Sequence, residues 1–321
     1  MDLLAEGNKC YWIAKQVDSV ARQLDKTKVL SELYGCTGWQ MNFESYKNIG
    51  DWQALFGVNL RCPHLSWYTM KGEGKRDYPA SILHQSAWYP EYHYVEDYFS
   101  RINAALYGAK ADAELLVISP IESVWARAYS GAFEGLTGTD PEIQRLEEQY
   151  AAVFHMLTEN HIDFDYGEED IMARHGRTDN GTLLIGSCAY KKVLIAGLDT
   201  LRSSTLQLLR DFKAQGGTVI FAGSPPACLD VLPSQDIKRF APLCTAIPLE
   251  EKALVKACAN GREIHIEAQD ANLIFARSFQ SEGERMVMIL NTDREKGYNN
   301  AAICLGQGKY LEQWDPRTGE I

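Results

Sequence analysis

Nowhere in the sequence does an apolar run approach the ~20 residues of a membrane-spanning helix, so no membrane contact is expected. The N-terminus, Met-Asp-Leu-Leu-Ala-Glu-Gly, lacks a basic stretch followed by an apolar one. It therefore does not read as a signal peptide, and a cytoplasmic location is expected. Cations are in deficit: 32 Lys and Arg face 43 Asp and Glu, a net charge of −11. Nucleic-acid binding needs clustered positive side chains against phosphate, and this balance argues against it. The eight cysteines contain no CxxC pair. Scattered in this way they read as reduced, mostly buried residues, neither a disulfide framework nor a zinc site. No GxGxxG or Walker pattern, internal repeat or low-complexity tract is present.

What is present is an ordinary globular composition, 45% hydrophobic and 23% charged, in a 321-residue chain long enough for two or three domains. Residues 11–24 carry Ile13, Val17, Val20, Ala21 and Leu24 at helical spacing. A short apolar strand at 28–31 follows, then a glycine-containing loop, and Asn42 as N-cap of a helix over 43–56 that Gly57 ends. A second strand at 58–62, a long aromatic loop over 63–93 and a helix at 94–107 complete a parallel α/β rhythm. From about residue 112 a fresh open-sheet unit begins: strands at 114–119, 182–186, 192–196 and 218–222, with helices at 141–159 and 200–215. Beyond residue 264 the runs IHIEA, NLIFARSF, RMVMILNT, AAICL and YLEQWD alternate and are separated by turn residues, which predicts antiparallel sheet. The expected domains are 1–110, 111–245 and 246–321.

Glu32 is the leading catalytic candidate. A carboxylate directly after an apolar strand, followed by glycine, is what the C-terminal mouth of a (β/α)8 barrel presents. Cleavage of a glycosidic bond needs two carboxylates, one to protonate the leaving oxygen and one to activate water or attack carbon. The plain alternative is a strand-end glutamate in a surface salt bridge. Around Glu32 the predicted loops gather Trp39, His64, Trp67, Tyr68, Tyr78, Trp88 and Tyr89, and five of the seven tryptophans precede residue 100. Sugar rings stack their C–H faces on aromatic planes and need polar partners for their hydroxyls. Trp12 and Trp52, on helices, are assigned to packing. His64 reads equally as a hydroxyl contact or a structural histidine. The charged turn 75–79 either shapes its loop through Arg76 and Asp77 or brings Arg76 to the substrate; shape is the plainer reading. Glu91, Glu96 and Asp97 open the next helix, where acidic residues suit the dipole.

The run from Lys28 through Glu32 to Trp39, with Ile49-Gly50-Asp51-Trp52, Gly57-Val58-Asn59, Pro63 to Tyr68 and Lys75 to Pro79, resembles the distal catalytic barrel of α-L-rhamnosidase-like enzymes, glycoside hydrolase family 106. That resemblance covers about a third of the chain strongly and continues through 94–125. It implies an inverting mechanism with paired carboxylates and Glu32 as general base; Trp39, His64, Trp67, Tyr68 and Arg76, read from their own chemistry, are the substrate-binding candidates. The earlier barrel strands, which would carry the acid partner, are absent, so the chain reads as the C-terminal portion of such an enzyme. The expected fold is α/β: the end of a (β/α)8 barrel, an open-sheet domain similar to class I amidotransferases, and C-terminal antiparallel strands.

The middle domain lacks the cysteine that an amidotransferase exposes at a strand-to-helix elbow. Gly223-Ser224-Pro225-Pro226 follows the strand at 218–222, and Cys188 in Gly186-Ser187-Cys188-Ala189-Tyr190 reads as structural. This domain is expected to serve as scaffold or interface, the place for any homo-oligomer. The acidic run DFDYGEED at 163–170 offers oxygen ligands for calcium, but a solvated loop is the reading kept. No metal site follows from spacing, and Ca²⁺ is left open for the intact enzyme only. The substrate class is a carbohydrate; the alternative is a non-catalytic carbohydrate-binding or assembly module.

Overall fold

The helical spacing over 11–24 becomes helix α1, Tyr11–Gln23, in the computed structural model. That structure describes residues 10–72, 81–135, 137–259, 264–269, 272–281, 283–306, 308 and 310–321. The buried face of α1 is not the expected one. Tyr11, Ala14, Lys15, Asp18, Ser19, Ala21 and Gln23 turn inward, and Val17 is left 47% exposed. The cause is electrostatic: this polar face meets opposite charges from two distant segments, and burial of charge is tolerable when it is paired.

Strands β1 (Leu30–Leu33) and β2 (Leu60–Pro63) pair in parallel, with Leu30 level with Leu60 and Glu32 level with Cys62. Both start later than the apolar pattern indicates, at 30 against 28 and at 60 against 58. Asn59 explains the shift: its side chain accepts from the Val29 N–H at 3.0 Å and donates to the Thr27 carbonyl at 2.9 Å. The ladder begins after that tie. Between the strands runs α2, Phe43–Leu55, capped as expected by Asn42, which accepts from the Ser45 N–H at 2.9 Å. Such a cap contributes ~1 kcal/mol. Gly57 closes the helix with φ 93°, and a Cβ there would lie 2.1 Å from Asp18 Oδ1. Helix α3, His93–Ala105, packs beside α2 and sets Phe99 against Gly50.

The central sheet has five parallel strands in the spatial order Asp165–Gly167, Leu115–Ile118, Lys192–Ala196, Thr218–Ala222, Thr245–Ile247. Counted within the unit, this is the doubly wound order 2-1-3-4-5. Alternation along each strand splits its side chains between two cores. Leu115, Val117, Leu194 and Ile220 join Val153, Phe154 and Leu157 of helix Pro141–Thr158, together with Tyr11, Trp52 and Phe275. Leu116, Val193, Val219 and Phe221 meet Leu206, Leu209 and Phe212 of helix Ser203–Ala214.

One expected sheet strand lies elsewhere. Thr182–Ile185 pairs antiparallel with Gly176–Asp179 and Cys188–Tyr190, outside the parallel sheet. Asn180 (φ 46°) and Gly181 (φ 77°) make the tight turn that dictates this hairpin. At the C-terminal end, Ile274–Ser281 and Glu284–Asn291 form a hairpin, and Ile264–Glu267 pairs with Ala302–Leu305. The expected strand at 310–315 does not form. Asp315 instead opens a turn in which it pairs with Arg317 at 2.7 Å, and Arg101 of α3 donates to the Pro316 and Arg317 carbonyls. Among the described residues no helix is long and apolar enough to cross a membrane.

Candidate active site

The alternation of β1 and β2 divides their side chains sharply. Ser31 and Leu33 are buried toward the covering helices, whereas Leu30, Glu32, Leu60 and Cys62 are exposed on the opposite face. Glu32 therefore sits within β1, one residue before its end, and points to the open side. Tyr34 leaves the strand with φ 70° and Cys36 follows at φ 57°, both in the left-handed region. This twist drives Tyr34 into the core, where its ring meets Tyr46 edge-on at 4.6 Å and its hydroxyl donates to the Tyr46 carbonyl. Burial pushes the Tyr34 phenol up to about 12 despite Arg61 beside it.

Beyond the strand ends Trp39 and Trp67 come together, ring centroids 5.4 Å apart and tilted by 44°. Trp39 is 41% exposed, while Trp67 is 8% exposed and its carbonyl accepts from Gln85. His64 continues the strand pairing: its N–H donates to the Leu33 carbonyl at 2.7 Å, which fixes its backbone beside the residue after Glu32. Tyr68 stands 93% exposed. Trp88 is packed by Phe43, Tyr46 and Tyr92, and Tyr89 remains exposed. Trp12 packs against Phe154 and Trp52 against Tyr11, the structural role expected of both. Glu96 opens α3 as foreseen and also pairs with Arg61 at 2.8 Å. Arg76, Asp77 and Tyr78 lie outside the described residues.

No family model and no curated protein matches the sequence. Solved structures do match. A rhamnosidase from Novosphingobium sp. PP1Y superposes with TM-score 0.68 at 15% identity, over 96% of this chain and 30% of that one. A GH42 β-galactosidase, Gan42B, gives 0.62 at 14% identity, over 98% and 55%. An apo exo-carrageenase GH42 from Bacteroides ovatus gives 0.52 at 13%, over 84% and 35%. The fold is shared with glycoside hydrolases. The chain spans less than a third of the rhamnosidase and about half of the β-galactosidase.

Within this glycosidase fold, the acidic run at 163–170 is no solvated loop. Asp163 and Asp165 belong to a buried cluster of three carboxylates and three cations. Lys15 meets Asp163 at 2.7 Å, Arg22 holds Asp165 at 2.7 Å, and Arg277 joins Asp18 at 2.6 Å and Asp163 at 3.0 Å. The Tyr190 hydroxyl donates to Asp165 at 2.9 Å. Burial alone would raise the Asp163 carboxyl; Arg277, Lys15 and Arg22 overcome it and hold it well below the usual carboxylate range. Burial and Arg277 lower the Lys15 ammonium, offset in part by the three aspartates. With these oxygens committed to cations, the run does not fit a calcium site. The legible signal was the period-2 placement of Asp163 and Asp165 between Phe164 and Tyr166, a strand pattern.

At the carboxyl edge of the parallel sheet, Asp199 is clamped by Arg127 at 2.7 Å and Arg145 at 2.8 Å just after Gly197-Leu198. Neither this turn nor the one after Ala222 carries a cysteine. Cys188 lies in the antiparallel meander and not at a strand-to-helix elbow, and burial raises its thiol. Nearby Glu169 is fully buried and accepts from the Arg202 N–H at 2.7 Å. Burial pushes its carboxyl up to about 7, with Glu122 adding to the rise and Thr205 and Arg202 opposing it. The folded protein thus keeps a proton that the unfolded chain releases, and stability falls as pH rises from the ordinary glutamate range to about 7. Glu169→Gln is expected to stabilise by up to about 3 kcal/mol at pH 8 and by almost nothing at pH 4. Urea unfolding at the two pH values measures this; an equal effect at both would contradict it.

Proposed function

We propose that this chain forms the distal part of the catalytic barrel, and the sugar-binding rim, of an α-L-rhamnosidase-like glycoside hydrolase. Glu32 acts as general base: it takes a proton from water as that water attacks the anomeric carbon. A carboxylic acid on barrel strands outside this chain protonates the leaving oxygen. In an inverting enzyme the two groups stand roughly 6.5–9.5 Å apart to admit the water. The observation that carries the reading is the parallel register of β1 and β2, with Glu32 on the uncovered face and the Trp39–Trp67 pair in the loops that follow the two strands. The five-stranded sheet is read as a non-catalytic, amidotransferase-like domain and the surface for any homo-oligomer, and the location as cytoplasmic.

Titration with L-rhamnose and D-galactose, followed by tryptophan fluorescence, tests the reading. A saturable change with L-rhamnose is expected, and no response to either sugar would reject it. Trp39→Ala should weaken that binding by roughly tenfold, near the upper end of what one aromatic contact contributes. It should cost only about 1 kcal/mol of stability, the contribution of its ring contact with Trp67, because Trp39 is partly exposed. Trp67→Ala should in addition destabilise by about 3 kcal/mol, the cost of emptying a buried aromatic site. A second reading, a binding module without chemistry, is favoured by one fact: of the four residues on the open face, Leu30, Glu32, Leu60 and Cys62, one is acidic. Sugar binding that persists with no hydrolysis in the intact enzyme would select it.

A further inference from the structure

We infer that Cys62 is a substrate-contacting residue of the same site, set beside Glu32 by the strand register. The inference rests on the glycosidase reading above and adds to it a wall that the sequence did not indicate. In the β1–β2 ladder Glu32 and Cys62 are direct partners, so their Cα atoms lie about 5 Å apart, one inter-strand spacing. Both side chains are exposed, and both leave the sheet on the face opposite the covering helices. Two positions further along the same strand direction, the backbone of His64 is bonded to Leu33 and leads into Trp67. A pyranose is wider than one inter-strand spacing. A sugar laid over the Glu32 carboxylate and across the sheet toward β2 therefore covers the Cys62 thiol. The thiol is small and weakly polar, so it accepts a C–H face without demanding a hydrogen bond. That makes it a contact and a gauge of room, not a reacting group. Leu30 and Leu60 are also level partners and give an apolar step beneath the pair.

Iodoacetamide footprinting on the chain, read residue by residue by mass spectrometry, tests this. Cys62 and Cys304 are the exposed cysteines among the eight. Cys304 lies on the C-terminal antiparallel pair opposite His265 and serves as the internal reference. With L-rhamnose at ten times the Kd found by tryptophan fluorescence, alkylation of Cys62 should slow by roughly tenfold, since about one site in eleven stays empty. Cys304 should label at its original rate. Cys62→Trp should abolish binding by filling the face, and Cys62→Ser should bind within about twofold of the parent. Both substitutions are at an exposed position, and an unchanged thermal transition confirms the fold. Fluorescence-detected binding with undiminished Cys62 alkylation, or normal binding by Cys62→Trp, would overturn the contact while leaving the glycosidase reading intact. Absence of any fluorescence response overturns the reading itself, and this inference with it.

Discussion

Replacing Glu32 by Gln is expected to reduce kcat of the intact enzyme by roughly 10²–10⁴-fold, the contribution of one positioned general base. Gln has the same shape and keeps an acceptor oxygen, so sugar affinity should change by less than about threefold. What Gln cannot do is take the proton from water at the moment of attack. Loss confined to kcat is therefore the signature, because it removes an interaction made in the transition state and not in the ground state. The pH profile gives an independent measure. A base works when ionised, so the acid limb of kcat/KM should disappear in the variant while the alkaline limb, owed to the acid partner, remains. Exposure of Glu32 on the open side of β1 means that its removal leaves no buried cavity, and the thermal transition should not move. Turnover within tenfold of the parent would place the base elsewhere.

The strand that carries Glu32 is legible because strand chemistry is local, although Glu32 lies within β1 and not after it. Apolar residues, a following glycine and a capping Asn42 fix β1 and α2 within a few residues, and the ladder then follows from their packing. Its depth was misjudged by two residues, since the Asn59 tie between Val29 and Thr27 is made across the sheet and leaves no trace in the apolar pattern. The meander at 176–190 had its signal in Asn180-Gly181, a turn that demands positive φ, yet the apolar run after it reads equally well as open-sheet strand. The face of α1 was not legible at all. Lys15, Asp18 and Arg22 lie on a stripe that looks solvated, and their partners come from 143 to 259 residues away. Long-range charge pairing overrides amphipathic spacing there, and a single helix carries no record of it. The candidate rim shows both cases. The chemistry of Trp39 and Trp67 is legible residue by residue, but their ring contact is a product of two loops whose paths depend on Tyr34, Cys36 and Gln85.

The largest stability effect is expected at the other end of that long-range pairing. Arg277 is 2% exposed; its Nη2 meets Asp18 of α1, its Nε meets Asp163, and its Nη1 donates to the Leu55 carbonyl at the end of α2. One guanidinium thus ties the C-terminal hairpin to the segment bearing β1 and to the entry of an edge strand of the parallel sheet. Arg277→Met keeps the bulk of the stem but takes the cation from the enclosed Asp18 carboxylate and leaves Asp163 to Lys15, and should cost about 3–5 kcal/mol at pH 7. That is a large share of the roughly 5–15 kcal/mol that holds a typical domain. Arg277→Lys should recover little of it, because a single ammonium cannot bond to Asp18, Asp163 and a carbonyl in the fixed directions of the planar fork. The acid dependence follows from Asp163, whose carboxyl is held low. A depressed folded-state value contributes stability that is complete above the unfolded range and is lost as pH falls below about 4. Without Arg277 that depression shrinks, so the gap between parent and variant, full at pH 7 and still nearly full at pH 4, should narrow by pH 2. Urea unfolding at these pH values checks it, and a difference under about 1 kcal/mol at pH 7 would mean that the cluster is solvated and relaxes around the loss. Because Asp18 also leans on Gly57 at the end of α2, the same variant should loosen the helix that backs β1 and so blur the position of Glu32. Hydrolysis by the intact Arg277→Met enzyme should then fall even at temperatures where it remains folded.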